Sequence, residues 1–386
     1  MSQHHNLIEL LRASLQEGYV PQLQAPCFEE LLLLARQHGI SALLYPAVKH
    51  QPLPPPVHKL YREEAYSAAT RETLQSQALA RFFDLCETKE IPVLPLKGCV
   101  IKEIYPQPAL REMSDVDLLI SRKKRRDVAT LMAQLGNRPV PIDCDGTDVY
   151  ESPLGLRYEV HFSLDEDGFN PASKNFCAKL FEQATPQTGK CYVHELPPET
   201  HYAYILCHFV KHLLYGGVGI RQLTDLYLWH KHKNTDTARL QALLQELKLD
   251  KFHETVQTLA LHYFEGQPAT EATDELGCYL LSSGVFGNEA QRQTDRMLRE
   301  GEGFSYYLHR CLPPYSAMKK YFPSLRYVPV LLPFYWLWRI LRALLFRRKK
   351  MQTELELLQT QNNDDLKARV EFYRRCGLSV YEEKEF

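Results

Sequence analysis

Between Ile91 and Ile120 the chain reads IPVLPLKGCVIKEIYPQPALREMSDVDLLI, and this stretch limits the possible folds more than any other. Ile91 to Leu96 is a short apolar run, Lys97 and Gly98 make a turn without side-chain bulk at Gly98, and Cys99 to Tyr105 has apolar residues at helical spacing. Ser114-Asp115-Val116-Asp117-Leu118-Leu119-Ile120 then reads as a strand, so the prediction is strand, turn, helix, strand. Side chains two apart share a face of a strand. Asp115 and Asp117 therefore project together, while Val116 and Leu118 turn the other way into a core. Adjacent carboxylates repel unless a cation neutralises them, and hard oxygen donors on a rigid strand suit Mg²⁺ carrying a nucleotide's phosphates. A solvated Asp pair is the plain alternative. Here a turn that suits a phosphate precedes the pair: the N–H groups of a helix start favour anions, Gly98 permits close approach, and Lys97 adds positive charge.

Leu156 to Leu164 reads as a later strand, with Glu159 and His161 on one face. Glu159 could join a metal site or accept a proton from an acceptor hydroxyl. His161 could assist proton transfer, contact the acceptor, or simply hydrogen-bond a buried carboxylate. Arg111 is a candidate phosphate contact through its planar fork. The run Arg122 to Arg126 opens a helix and reads either as a second phosphate or RNA contact or as a solvated helix face, the commoner fate of such runs. Asp143, Asp145 and Asp148 surround Gly146 without the flanks of an EF-hand. Farther on, His208 and His212 are four apart on a helix that starts near Pro198, which is the geometry of two metal ligands. With Asp225 as a third, they would support a metal-dependent hydrolase; a packed histidine pair is the alternative. No glutamate follows His208, so this is not a zinc-protease motif, and Gly216, Gly217 and Gly219 do not form a dinucleotide-binding loop.

The run LKG, then YP, then an Arg, then SDVDLL resembles the bacterial uncharacterised nucleotidyltransferase family, a branch of the polymerase-β-like nucleotidyltransferase superfamily. The resemblance is strongest from Val93 to His161, and it extends through Tyr158-Glu159-Val160-His161-Phe162 to an H-x-x-K-H and R-x-x-x-D pattern at His208, Lys211, His212, Arg221 and Asp225. It implies an α+β fold, a mixed sheet with N-terminal helices and a large C-terminal helical region. It also implies transfer of a nucleotide monophosphate from an NTP to an acceptor, with Mg²⁺ or Mn²⁺ at Asp115, Asp117 and Glu159. By the same resemblance Lys97, Gly98, Arg111 and Ser114 would bind the nucleotide, Asp115, Asp117, Glu159 and His161 would be catalytic, and His208, His212, Arg221 and Asp225 would line an acceptor or base pocket. The superfamily's turn has Gly followed by Ser, whereas Cys99 follows Gly98 here, so the hydroxyl is missing and Lys97 stands beside the turn instead.

The expected organisation is an N-terminal helical buttress over 1–88, an α/β domain over 89–196, a helical subdomain over 197–320, and a C-terminal apolar helix with a terminal helix over 321–386. Lys and Arg number 46 against 47 Asp and Glu, which gives no global charge argument for a nucleic-acid partner. Ten cysteines lie scattered without a C-x-x-C pair, and no secretory signal opens the chain, as expected of a reducing cytoplasm. Tyr327 to Lys350 is intensely apolar but interrupted by Pro329, Pro333, Arg339 and Arg342, which argues against a membrane-spanning helix. Burial against the helical region is the favoured expectation. An in-plane helix at the inner membrane face, with Trp336, Trp338 and the basic end among the headgroups, is the alternative. The leading function is a cytoplasmic nucleotidyltransferase using an NTP and an unidentified small-molecule, peptide or protein acceptor. The rivals are a non-catalytic nucleotide binder or membrane-apposed scaffold of a biosynthetic cluster, and the hydrolase.

Overall fold

In the computed structural model of the chain, the described residues are 2–141, 146–284, 289–300, 312–315, 318, 322–346 and 363–381. Four helices come first: α1 (Ser2–Leu15), α2 (Phe28–His38), α3 (Ser41–Val48) and α4 (Pro55–Thr88). The stripe Leu7, Ile8, Leu10 and Leu11 is buried, as its spacing predicts. In α4, Leu74 and Ala80 are exposed, and the buried line runs through Ala68, Gln75, Leu79, Phe82 and Cys86. Gln75 can belong to that line because its Nε2 donates to the Met113 carbonyl at 3.0 Å, which satisfies the amide inside the core.

Strands β1 (Val93–Pro95), β2 (Asp115–Ile120), β3 (Arg138–Val140), β4 (Thr147–Glu151) and β5 (Arg157–His161) form one sheet in the order β1-β2-β5-β4-β3. Strands β2 and β5 run parallel and every other neighbouring pair is antiparallel, so the sheet is mixed and the class is α+β. The helix expected between β1 and β2 is a single turn, α5 (Gly98–Ile101), followed by 3₁₀ turns at Lys102–Ile104 and Pro108–Leu110. Tyr105 precedes Pro106 and is extended, with φ −76° and ψ 156°, as the proline ring requires, and this ends the helix early. One face of the sheet, through Val116, Leu118, Ile120, Tyr158 and Val160, packs on α4 and on α6 (Arg125–Gln134). The basic run is a 3₁₀ turn at Arg122–Lys124 leading into α6, and Arg125 pairs with Asp148 and lies over the Phe162 ring.

A short ladder, β6 (Thr185–Pro186) with β7 (His194–Glu195), and helix α7 (Pro171–Ala178) lead to the C-terminal helices. These are α8 (Pro198–Leu214), α9 (Ile220–His232), α10 (Thr237–Leu247), α11 (Asp250–Glu265), α12 (Glu271–Ser283), α13 (Glu289–Glu300), α14 (Leu332–Phe346) and α15 (Asn363–Arg375). Helices α1 to α3, α8 to α12 and α15 share a larger core that reaches the sheet at Leu94 and Leu119. One expectation is corrected here. Phe334, Leu337 and Trp338 of α14 are exposed where burial was favoured, and the contacts seen among the described residues lie on the opposite flank of that helix. Past α15, Leu378 and Val380 are buried in the helical core. Asp143, Asp145, the basic run 347–350 and the first half of the expected last helix lie outside the described residues. No helix among the described residues is long and apolar enough to cross a membrane.

Candidate active site

The parallel pairing of β2 and β5 sets Asp117 beside Glu159 and Leu119 beside His161. Since both strands alternate with period two, Asp115, Asp117, Glu159 and His161 all face the side of the sheet away from α4 and α6. Ligand atoms of Asp117, Glu159 and His161 lie within 4.8 Å of one another. This brings together residues more than forty positions apart in the sequence. Asp115 stands at the open end of β2, where its Oδ1 accepts from the Ser114 hydroxyl at 3.2 Å, and Glu159 takes Arg157 Nε at 3.1 Å.

Asp117 Oδ1 receives two nitrogens, Lys97 Nζ at 2.8 Å and His161 Nε2 at 2.9 Å. With Nε2–H donating to this carboxylate, Nδ1 of His161 accepts from the Thr147 hydroxyl at 3.1 Å. Burial disfavours charge on Asp117, but Lys97 and then His161 override it and hold the carboxyl well below its ordinary range. Burial likewise opposes charge on Lys97, and Asp117, Asp167 and Asp115 together keep the ammonium above its usual value. The backbone of Lys97 has φ 47° and ψ −120°, a left-handed conformation uncommon for a residue with a side chain.

Gly98 needs its missing side chain for packing. A Cβ there would stand 2.5 Å from Arg111 Nη1 and 2.8 Å from Met113 Sδ. Cys99, the residue after Gly98, turns its Sγ back toward the Asp117 carbonyl at 3.8 Å, and burial, with Asp117 beside it, pushes the thiol up to about 12. It is a neutral packing group.

The H-x-x-K-H helix contributes a second polar group. Asp167, at the end of the 3₁₀ turn Asp165–Asp167, is buried; it accepts from the Tyr204 hydroxyl at 2.9 Å, pairs with Lys211, and has His208 Nδ1 at 3.5 Å. Burial opposes its charge, and His208, Lys97 and Lys211 nevertheless hold it well below the carboxylate range. His208 and His212 meet Nε2 to Nε2 at 2.9 Å, so one donates to the other. Burial lowers both, His212 to about 2, and so works against a positive charge on either ring. Asp167 and Thr147 escaped the sequence reading, and only the acidic turn Asp165-Glu166-Asp167 hinted at the first.

The remaining predicted residues separate. Asp225 on α9 takes Arg111 through Nε at 3.2 Å and Nη2 at 2.8 Å, and accepts from the Tyr105 hydroxyl at 2.7 Å. Its carboxylate therefore serves a guanidinium and does not join His208 and His212. Among the described residues the group arranged to hold an ion is Asp117, Glu159 and His161, and the expected histidine–Asp225 hydrolase triad does not assemble. Arg221 is differently placed: its Nη1 donates to the Glu112 carbonyl at 3.2 Å, and its buried Nε has no hydrogen-bond partner. A cavity of about 310 Å³ beside Ser114 is lined by Arg71, Leu74, Gln75 and Ala78 of α4 and by residues of the β4–β5 turn, and none of Lys97, Asp115, Asp117, Glu159 or His161 lines it.

The profile of a protein family described as uncharacterised nucleotidyltransferase matches residues 25–265, a span that contains every residue of this site. No curated protein matches the chain. Among solved structures, the solution structure of the antibiotic-resistance factor ANT(2'')-Ia superposes over 100% of that chain and 51% of this one, with 11% identity and a TM-score of 0.34.

Proposed function

Because the chain belongs to the uncharacterised nucleotidyltransferase family, we propose that it moves a nucleoside monophosphate from a nucleoside triphosphate to an acceptor hydroxyl or phosphate. The convergence of Asp117, Glu159 and His161 on one sheet face, with Asp115 two residues before Asp117, supports this reading most directly. Asp115, Asp117 and Glu159 offer the hard oxygen donors that Mg²⁺ or Mn²⁺ prefers. When bound, such an ion supplies charge neutralisation on the triphosphate and on the departing pyrophosphate.

The chain's own residues divide the remaining work. Lys97 keeps Asp117 ionised and places a cation beside the turn at Gly98. Arg221 is a better phosphate contact than Arg111, whose fork is taken by Asp225. Glu159 is the group to accept the proton of an acceptor hydroxyl, while the tautomer set by Thr147 and Asp117 fixes the ring of His161. Ser114 adds a hydroxyl beside Asp115, to whose Oδ1 it donates. His208 and His212, hydrogen-bonded to each other, offer imidazole donors and acceptors for the acceptor or base side.

The test is pyrophosphate release and label transfer from each of the four NTPs, with Mg²⁺ or Mn²⁺ and a cell extract as acceptor source, against the Asp115→Ala, Asp117→Ala double variant. Transfer that needs the Asp pair is the expected result. A second reading rests on Cys99, whose thiol faces the strand where a phosphate-binding hydroxyl would be expected: a nucleotide binder without transfer. Metal-dependent nucleotide binding without released pyrophosphate would favour that reading, and neither transfer nor binding would refute both.

A further inference from the structure

Helix α14 shows solvent a continuous apolar stripe. Phe334, Leu337, Trp338 and Leu341 recur at i, i+3, i+4 and i+7 and are between 44% and 69% exposed; Tyr327, just before the helix, is 87% exposed. The opposite flank is held in place. Trp336 Nε1 donates to the Pro313 carbonyl at 2.9 Å, and Tyr335 stacks on Phe322 with centroids 4.3 Å apart. The stripe thus belongs to a helix fixed with its apolar side outward.

Charge narrows what could cover it. From Gly303 to Thr353 the sequence has ten Lys and Arg and no Asp or Glu, while the rest of the chain has 36 basic against 47 acidic residues. Exposed Arg342 follows Trp338 by one helical turn, at the margin of the stripe, where its stem can lie along the apolar surface and its guanidinium reach outward. A second copy meeting this face would bring two like-charged segments together, which disfavours self-pairing. A nucleic acid would leave the apolar stripe uncovered. Aromatic and aliphatic side chains flanked by basic ones, with no acidic residue among them, match the headgroup region of an anionic bilayer.

We propose that α14 is an in-plane membrane helix that docks the protein on an anionic lipid surface, with Phe334, Leu337, Trp338 and Leu341 among the acyl chains and Arg342 among the phosphates. It lies on the bilayer and does not span it: Arg339 and Arg342 interrupt the apolar sequence, and no described helix has the length and apolarity to cross.

The experiment is co-sedimentation of the full chain with phosphatidylcholine vesicles, with and without phosphatidylglycerol, at low and high salt. The wild type is expected to sediment with the anionic vesicles and to do so less at high salt. The Phe334→Glu, Trp338→Glu double variant is expected to fall to background with an unchanged melting curve. Arg342→Ala should partition roughly fivefold more weakly. Leu33→Glu, which alters an equally exposed apolar residue on α2, should sediment as the wild type does. Failure of the wild type to bind anionic vesicles, or undiminished binding by the double variant, overturns the proposal. So does a dimer that the double variant dissociates without any vesicle binding, which would assign the face to a second copy.

Discussion

Asp117 neutralises a buried ammonium as well as lining the candidate site, and substitution can separate the two roles. In Asp117→Ala, Lys97 loses its contact carboxylate in a buried setting, and removing one partner of such a pair costs about 3–5 kcal/mol. Glu159→Ala should cost less than about 1 kcal/mol, because its partner Arg157 is half exposed. Urea denaturation of both variants tests the difference, and equal losses would refute the role given to Lys97. The two arginines separate in the same way. Arg111→Met should lower the melting temperature, since it strands Asp225, whereas Arg221→Met should leave folding nearly intact and weaken NTP binding, read by calorimetry. Strand periodicity pairs Asp115 with Asp117 and Glu159 with His161 in the sequence, and the family resemblance joined the two pairs; the β2–β5 register puts them on one face. The partner of Arg111 was not legible there, since a planar fork suits phosphate and carboxylate equally and only the arrival of α9 decides between them. Asp167 was hidden for a similar reason: its environment is made by α8 and Lys97, distant in sequence.

Among the elements, the one-turn helix α5 is set by packing. Gly98→Ala drives a methyl group into Arg111 and Met113, and is expected to destabilise by roughly 1–3 kcal/mol by chemical denaturation. The packing of α13 on α15 has a pH signature. Asp295 of α13 is buried, with Arg369 and the Tyr373 hydroxyl of α15 beside it, and burial pushes its carboxyl up to about 6 although both neighbours pull the other way. Unfolded, the group ionises near 3.8. Between the two values the native state binds more protons than the unfolded one, so this contribution is full below the lower value and is lost as pH rises through about 6. Asp295→Asn abolishes the effect. The stability of the variant relative to wild type should therefore rise between about pH 4 and pH 7, on the order of 2–3 kcal/mol, and a flat difference would contradict the assignment. The sequence placed most of these elements but not their ends. Pro106 shortened α5, and the buried line of α4 followed a glutamine that hydropathy alone leaves outside.

For the whole molecule, the sheet and the C-terminal helices act together at the site. The sheet supplies Asp115, Asp117, Glu159 and His161, α8 supplies His208 and Lys211, and α9 supplies Arg221 and Asp225. A ligand bound across them should stabilise the entire fold. At a hundred times its dissociation constant, an NTP with Mn²⁺ is expected to add about 2.7 kcal/mol, seen as a melting temperature higher by a few degrees, and the Asp115→Ala, Asp117→Ala double variant should show no such rise. The α+β class was legible through the family resemblance, which the stretch from Val93 to His161 carries most strongly. The exposure of α14 was not, since an apolar helix reads the same in a core or on a surface until its neighbours are known.

The ion pair between Arg111 and Asp225 also sets a clock on synthesis. The two residues are separated by 114 positions, so at about 5–20 residues per second the ribosome delivers the carboxylate roughly 6 to 23 seconds after the guanidinium. Through that interval Arg111 has water in place of its carboxylate, and Lys97 likewise waits for Asp167 during part of it. The face of the sheet that carries Asp117 can therefore be completed only after the downstream helices have been made.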